Sequence, residues 1–382
     1  MIDAVAARFE HEFGRRPSGI WAAPGRVNLI GEHTDYNRGR CLPIALPHAT
    51  YAALAVRDDG AVRMVSDARP EVVVADADRL GPGATSGWAA YVAGVVWALR
   101  RHGIDAPGVD VAVASEVPIG AGLSSSAALE CSVAIGVCEL AGLALDDRLR
   151  RVLVDVCGQA EREVAGAPTG GLDQTISLFA TAGHALALDF DVDVEGMATV
   201  PWRPEDDDVT LLVVDTRAAH ELTDGGYAAR RRDCESAAAA LGHRSLRRAS
   251  LDDVDGLADD TLRRRARHVV TEIARVDATI ESVRRRDWPS VGALFDASHA
   301  SLRDDFDVSC AELDVACSTA IDAGAFGARM TGGGFGGSAI ALVPSSHVDA
   351  VGAAVTAAFE RHGWTPPGLL VATAGDGATR RR

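Results

Sequence analysis

Residues 25–37 read Gly25-Arg-Val-Asn-Leu-Ile-Gly-Glu-His-Thr-Asp-Tyr-Asn37. One Arg, two carboxylates, a His and two Asn stand there among small and apolar residues. A purely structural segment has little use for such polarity, because each polar group buried without a partner costs free energy. A site for a small polyhydroxylated ligand does need it: carboxylates accept hydrogen bonds from hydroxyls, and Arg supplies fixed positive charge. The plainer alternative is a charged surface turn. Two Gly-rich segments further along weigh against it.

The whole chain narrows the classes. Its 382 residues and 47% apolar content suit two domains with a core each. A formal charge of −16 argues against nucleic-acid or anionic-membrane partners. Short basic runs (230–232, 263–265, 284–286) read as solvated helix faces among acids. All 38 basic residues are Arg, so a Walker-type loop, a pyridoxal Schiff base and a protein-kinase strand Lys are excluded. The seven Cys have no metal-ligand spacing and read as free thiols on helix faces in a reducing compartment. Ile2, Val5, Phe9 and Phe13 fall at helical spacing with acids between them, an amphipathic helix rather than a signal peptide. No apolar run reaches transmembrane length. The expectation is a soluble, cytoplasmic protein that acts as a monomer.

Along the chain, Gly19 to Ala23 and Arg40 to Val56 read as strands, and Val109 to Val117 alternates as a strand with its valines on one face. Helices are predicted over Ser125 to Leu143 and Arg148 to Val164, the latter stopped by Gly166 and Pro168, and a third starts near Leu172. The Asp-rich stretch from Asp189 to Asp208 reads as a domain junction. Beyond it come a strand over Val209 to Asp215, helices from about 225 to 323, and a strand over Ser338 to Val343. Strands and helices mix without a regular β-α repeat, so the fold class is α+β with two domains, 1–195 and 196–382.

Gly120-Ala-Gly-Leu-Ser-Ser-Ser-Ala-Ala128 lies between a predicted strand and a predicted helix. Glycines admit close backbone approach, and a helix N-terminus offers unpaired N–H groups, which together suit phosphate. An ordinary Ser cap is the alternative, but a cap needs one Ser and three stand here. Met330-Thr-Gly-Gly-Gly-Phe-Gly-Gly337 is read as following a helical region and opening into a strand, the wrong order for a dinucleotide fingerprint. Glu161 and Asp173 flank a Gly/Pro break, with Asp173 in the first turn of a helix. A carboxylate there could take a proton from a hydroxyl or merely cap the helix.

Taken together, these segments resemble the galactokinases, within the superfamily that also holds homoserine, mevalonate and phosphomevalonate kinases. Gly25 to Asn37, continuing to Leu46, resembles the signature that sets galactokinases apart. Gly120 to Ala128 resembles the superfamily phosphate loop, and Thr331 to Gly337 its third motif. Tyr227-Ala-Ala-Arg-Arg-Arg-Asp-Cys-Glu235 resembles the segment carrying a sugar-contacting Tyr. The resemblance implies an N-terminal α+β domain and a ferredoxin-like C-terminal domain, with the active site between them. It implies ATP-dependent phosphorylation of the galactose C1 hydroxyl, with Asp173 as proton acceptor and Arg26 supporting it and offsetting transition-state charge. Glu32, His33, Thr34, Asp35 and Tyr227 are implied sugar contacts. Gly120, Ala121, Gly122, Leu123, Ser124, Ser125 and Ser126 are the implied nucleotide loop, with Ser66 a further nucleotide contact. Ser126 and Glu161 are the implied magnesium ligands. Thr169 stands where many members have Cys or Ser, and Gly171-Leu172 replaces a bulkier apolar pair. A non-catalytic sugar sensor on this fold would carry a damaged phosphate loop, whereas Gly122 to Ala127 is intact.

Overall fold

Strand residues alternate between the two faces of a sheet, and along the central strands of the first half of this chain both faces are covered. The structure, a computed structural model, describes residues 1–167, 169–191, 196–218 and 225–382. Pro168, the expected helix stop, and part of the Asp-rich stretch lie outside the described residues. The first half runs α1 (Ile2–Phe13), β1 (Gly19–Asn28), β2 (Arg40–Cys41), β3 (Pro43–Arg57), β4 (Ala61–Ser66) and β5 (Arg69–Asp76). It continues through α2 (Trp88–Arg101), β6 (Gly108–Ser115), α3 (Ser125–Leu140), α4 (Asp147–Gln159), α5 (Leu172–Phe179), β7 (His184–Asp189) and β8 (Ala198–Pro201).

Six strands form one sheet in the order β13-β1-β3-β6-β4-β5, where β13 is the C-terminal pair Thr379–Arg380. Ile20, Ala53 and Ala112 pack under α1 with Val5 and Phe9, while Trp21, Leu54 and Val111 pack against α2 and α3. The expected Val109, Val111 and Val113 face is present, but Ala112 and Ala114 between them are buried as well. The alternation in β6 is therefore one of side-chain size, with both faces dry. A smaller sheet, β2-β7-β8, is antiparallel throughout.

The second half begins with β9 (Val209–Asp215), α6 (Gly226–Ala240), α7 (Leu251–Asp255), α8 (Asp260–Arg284), α9 (Trp288–Ser301) and α10 (Ala311–Asp322). It closes with β10 (Gly327–Thr331), β11 (Ser338–Pro344), α11 (Val348–His362) and β12 (Gly368–Ala372) before β13. Its antiparallel sheet runs β10-β11-β9-β12, with helices between β9 and β10 and between β11 and β12. That connectivity is ferredoxin-like, as expected.

One correction concerns Met330 to Gly337. Its first two residues end a strand, β10, and not a helical region, and 332–337 form the loop of a hairpin in which Thr331 pairs with Ser338. All five residues of β10 are buried, and with Arg329 inside so short a segment the alternation of a half-exposed strand is absent, although Gly324, at φ 105°, marks the end of α10. The order is strand–loop–strand, so the loop still does not open a helix.

The two halves share a core. Val27, Leu29, Ile30 and Leu42 of the first half pack with Leu211, Val213, Val276, Ile340 and Leu342 of the second. The chain end also returns to the first sheet, pairing Arg380 with Trp21. Among the described residues, no helix is long and apolar enough to cross a membrane.

Candidate active site

Asp173 sits in the first turn of α5, where helix N-terminal polarity favours a carboxylate. Arg26, on β1, straddles it: Nε donates to Oδ1 and Nη2 to Oδ2, each at 2.8 Å. Arg26 Nη1 donates to the Gly122 carbonyl at 2.6 Å, tying the pair to the first Gly-rich loop. Ser124 occupies the N-cap position of α3, yet its side chain makes no capping bond and its φ is 57°. Its hydroxyl donates instead to Asp173 Oδ2. Local geometry therefore answers the ordinary-cap alternative at both residues: Gly171, without a side chain, is the N-cap of α5, and Ser124 is aimed at a carboxylate from another helix.

Beside this pair lies a cavity of about 210 Å³, lined by Arg26, Asn28, Glu32, His33, Asp35, Thr169, Asp173, Tyr227 and the Gly332–Gly333 backbone. Its size is below the range of roughly 300–1,000 Å³ typical for drug-sized ligands, as suits a monosaccharide. Asp35 meets the Gly170 backbone so closely that a Cβ at Gly170 would lie 1.8 Å from Oδ2. Burial, with the nearby negative charge of Asp173 adding to it, pushes the Asp35 carboxyl up to about 6. Burial also raises Tyr227 well above the usual phenol value. Its ring lies 5.2 Å from that of His33.

Other residues of the signature turn toward the protein. His33, in left-handed backbone at φ 61°, has Nε2 3.2 Å from the Gly333 carbonyl and Nδ1 2.8 Å from the Tyr36 hydroxyl. A carbonyl can only accept, so Nε2 carries the proton and Nδ1 accepts from Tyr36. Burial pushes His33 down to about 3, leaving it neutral. Glu32 accepts from the Gly332 N–H at 2.6 Å, from Arg329 at 3.2 Å and from the Asn28 amide. Burial raises its carboxyl, against the opposing pull of Arg329. Thr34 is fully buried and does not line the cavity; its hydroxyl lies 2.7 Å from the Arg40 carbonyl and 3.0 Å from that of Gly31.

A second cavity, of about 390 Å³, adjoins the start of α3. Ser66, Ser125 and Ser126 line it together with Trp88, Tyr91 and Ile119. Trp88 and Tyr91 come from one face of α2, three residues apart, a position the sequence reading left without a role. Gly120, Ala121, Gly122 and Leu123 form the turn entering α3, held by Ser338 Oγ donating to the Ala121 carbonyl and by the Arg26 N–H donating to that of Leu123. The hairpin loop of the second half thus backs the loop of the first.

Glu161 lies on a π-helical turn, Ala160–Ala165, that ends α4. Its carboxylate accepts from Gln174 Nε2 at 2.6 Å and lies beside the Ser126 hydroxyl. Burial, reinforced by the Asp173 charge, pushes Glu161 up to about 7. Gln174 also donates to fully buried Glu130 at 3.3 Å and accepts from Thr169, so one amide links the metal-ligand candidate to the wall of the first cavity. Glu130 and Gln174 went unmarked in the sequence because a lone Glu and Gln on helices carry no spacing signal. Among the described residues no group of three or more His, Cys, Asp or Glu is arranged to hold a metal ion. Magnesium is commonly held by one or two protein oxygens plus phosphates and water, which Ser126 and Glu161 can satisfy.

Known proteins resemble this chain over nearly its whole length. The galactokinase galactose-binding signature matches residues 7–56, the GHMP kinases N terminal domain 90–181 and the GHMP kinases C terminal domain 279–361. Galactokinase from Streptomyces coelicolor is 47% identical, covering 98% of this chain and 97% of its own. The human galactokinase is 41% identical over 88% of this chain and 87% of its own. The solved structure of Lactococcus lactis galactokinase complexed with galactose has a TM-score of 0.93 at 33% identity, covering 99% of both chains. The mevalonate kinase of Methanococcus jannaschii shares the fold, with a TM-score of 0.68 at 16% identity over 95% of this chain. A signature, two domain matches in order and near-complete coverage by relatives show that the chain is a sugar kinase and belongs to the galactokinase family of the GHMP kinases.

Proposed function

We propose that the chain transfers the γ-phosphoryl group of ATP to the C1 hydroxyl of galactose, giving galactose 1-phosphate. One observation carries the reading: Arg26 and Ser124 both reach Asp173, so the carboxylate lies where the monosaccharide-sized cavity meets the phosphate loop. Asp173 takes the C1 hydroxyl proton as the oxygen attacks the γ-phosphorus. Arg26 fixes the orientation of Asp173 and supplies positive charge facing the transferring group. Phosphoryl transfer asks mainly for positioning and charge stabilisation, and this constellation provides both without Lys.

Asp35 and Tyr227 bind sugar hydroxyls, and Glu32, His33 and Thr34 hold the signature loop that frames them. Residues 120–126 cradle the phosphates, while Ser66, Trp88, Tyr91 and Ile119 enclose the base. Ser126 and Glu161 would hold magnesium, which neutralises charge on the ATP phosphates when bound. The protein works as a monomer with small-molecule substrates and no nucleic-acid or membrane partner.

An ADP-release assay over a panel of free sugars tests the activity, with the phosphorylated carbon read by NMR. Galactose should give the highest kcat/KM and a C1 phosphate; another sugar ahead of it would overturn the substrate assignment. The metal assignment has its own test. Glu161→Gln keeps shape and removes charge, so direct titration with manganese in the presence of ADP should show weaker metal binding. An unchanged titration would mean that the ion is held elsewhere.

A further inference from the structure

We infer that Asn28 is a specificity-determining residue of the sugar site, its amide oxygen accepting a hydrogen bond from one hydroxyl of the acceptor sugar. The inference rests on reading the 210 Å³ cavity as a sugar site. Asn28 stands two residues after Arg26 on β1, so the two side chains share a face, and both line the cavity. Asn28 is only 2% exposed. Its backbone is fixed from the second half of the chain: the N–H donates to Thr331 Oγ1 at 3.1 Å, and the carbonyl accepts from Arg329 Nη1 at 3.2 Å.

The orientation of the amide follows from its neighbour. Glu32 already accepts from the Gly332 N–H and the Arg329 guanidinium, so it acts as an acceptor and faces the NH2 end of Asn28. The oxygen end then has no hydrogen-bond partner among the described residues, although it is buried. A buried acceptor left unpaired costs free energy that a ligand donor recovers. Asp35 and Asp173 add further acceptors to the wall. A wall rich in acceptors suits a polyol, which brings O–H donors, and repels a carboxylate or phosphate at the same place.

The test measures calorimetric affinity of wild type and Asn28→Ala for galactose and its monodeoxy and monodeoxyfluoro analogues. Fluorine cannot donate, so at the position facing Asn28 both analogues should bind wild type roughly tenfold more weakly than galactose, about the effect of one lost hydrogen bond. At that position, and no other, the penalty should vanish in Asn28→Ala. Penalties that persist unchanged at every position in the variant would overturn the inference. Should the alanine variant fail to fold, a crystal structure of wild type with galactose decides instead. A sugar oxygen within hydrogen-bond distance of Asn28 Oδ1 supports the assignment, and an Oδ1 turned from the sugar refutes it. Failure of the proposed activity reads differently: galactose would bind wild type without acquiring phosphate, and the analogue series would still report on Asn28.

Discussion

Asp173 and Asp35 are two carboxylates in one cavity with opposite surroundings. Asp173 is straddled by a guanidinium and touched by a hydroxyl, whereas Asp35 meets a glycine backbone and is pushed up to about 6. Asp173→Asn conserves volume and should lower kcat by roughly 10² to 10⁴, the usual share of general-base catalysis, with nucleotide affinity little changed. Retention of most of the wild-type turnover would remove Asp173 from the role. For Asp35 the sign follows from its raised value. In the proposed role Asp35 accepts from sugar hydroxyls while ionised, above about pH 6; below, it carries a proton and loses acceptor capacity. Galactose KM should therefore climb as pH falls through 6, and the climb should be absent in Asp35→Asn. Stability runs the other way, because a raised carboxyl value favours the folded state at low pH and that contribution is lost as pH rises through the folded value. Asp35→Asn should melt higher than wild type at pH well above 6. A flat KM profile in wild type would contradict the assignment.

At the scale of elements, the site depends on turns as much as on side chains. Gly170 precedes α5 in the turn that faces Asp35, and any Cβ there would collide with that carboxylate. Gly170→Ala should raise galactose KM several-fold while leaving ATP KM near wild type, because the displaced group lies in the sugar cavity. Equal effects on both constants would point to a general loss of structure. The π-helical end of α4 is a second such device. It carries Glu161 beside Ser126, and insertions of this kind commonly mark functional positions. The sequence foretold α3, α4 and α5: α3 is apolar and buried almost all round against β1 and β3, whereas α4 buries its apolar stripe against α2, α3 and α5. It missed β10, a five-residue buried segment whose central Arg329 hides the pattern of a strand.

For the whole molecule, the decisive feature is the polar joint between the halves. Arg329 of β10, fully buried, reaches the carbonyls of Asn28 and Leu29, the Glu32 carboxylate and Ser298 Oγ. Glu272 of α8 accepts from the Gly31 N–H at 2.9 Å and from Ser298 at 2.7 Å. Burial works to raise Glu272, but the charges of Arg275, His268 and Arg329 outweigh it and hold the carboxyl at about 2. Removing one member of such a buried set leaves a charge without its counterpart, at a cost of about 3–5 kcal/mol. Arg329→Leu should lower stability by that order in denaturant unfolding and raise galactose KM, because Glu32 and Asn28 lose their support. A variant as stable as wild type would show that the joint is dispensable.

The sequence by itself carried the family, the α+β class and the Gly-rich loop before α3, and it singled out Arg26 and Asp173, which the structure brings into contact. Those features are local: a dense polar run, glycines before a helix and a carboxylate at a helix start keep their meaning without neighbours. Only the tertiary structure decided which polar groups face the cavity and which face the protein. Glu32 gives most of its hydrogen-bonding capacity to the second half of the chain, His33 divides its two ring nitrogens between Gly333 and Tyr36, Thr34 is enclosed by carbonyls, and Asn28 holds a buried acceptor unpaired among the described residues. These assignments join residues about 300 positions apart, such as His33 with Gly333. A hydrogen-bond partner is fixed by distance in space, which no spacing along the chain encodes.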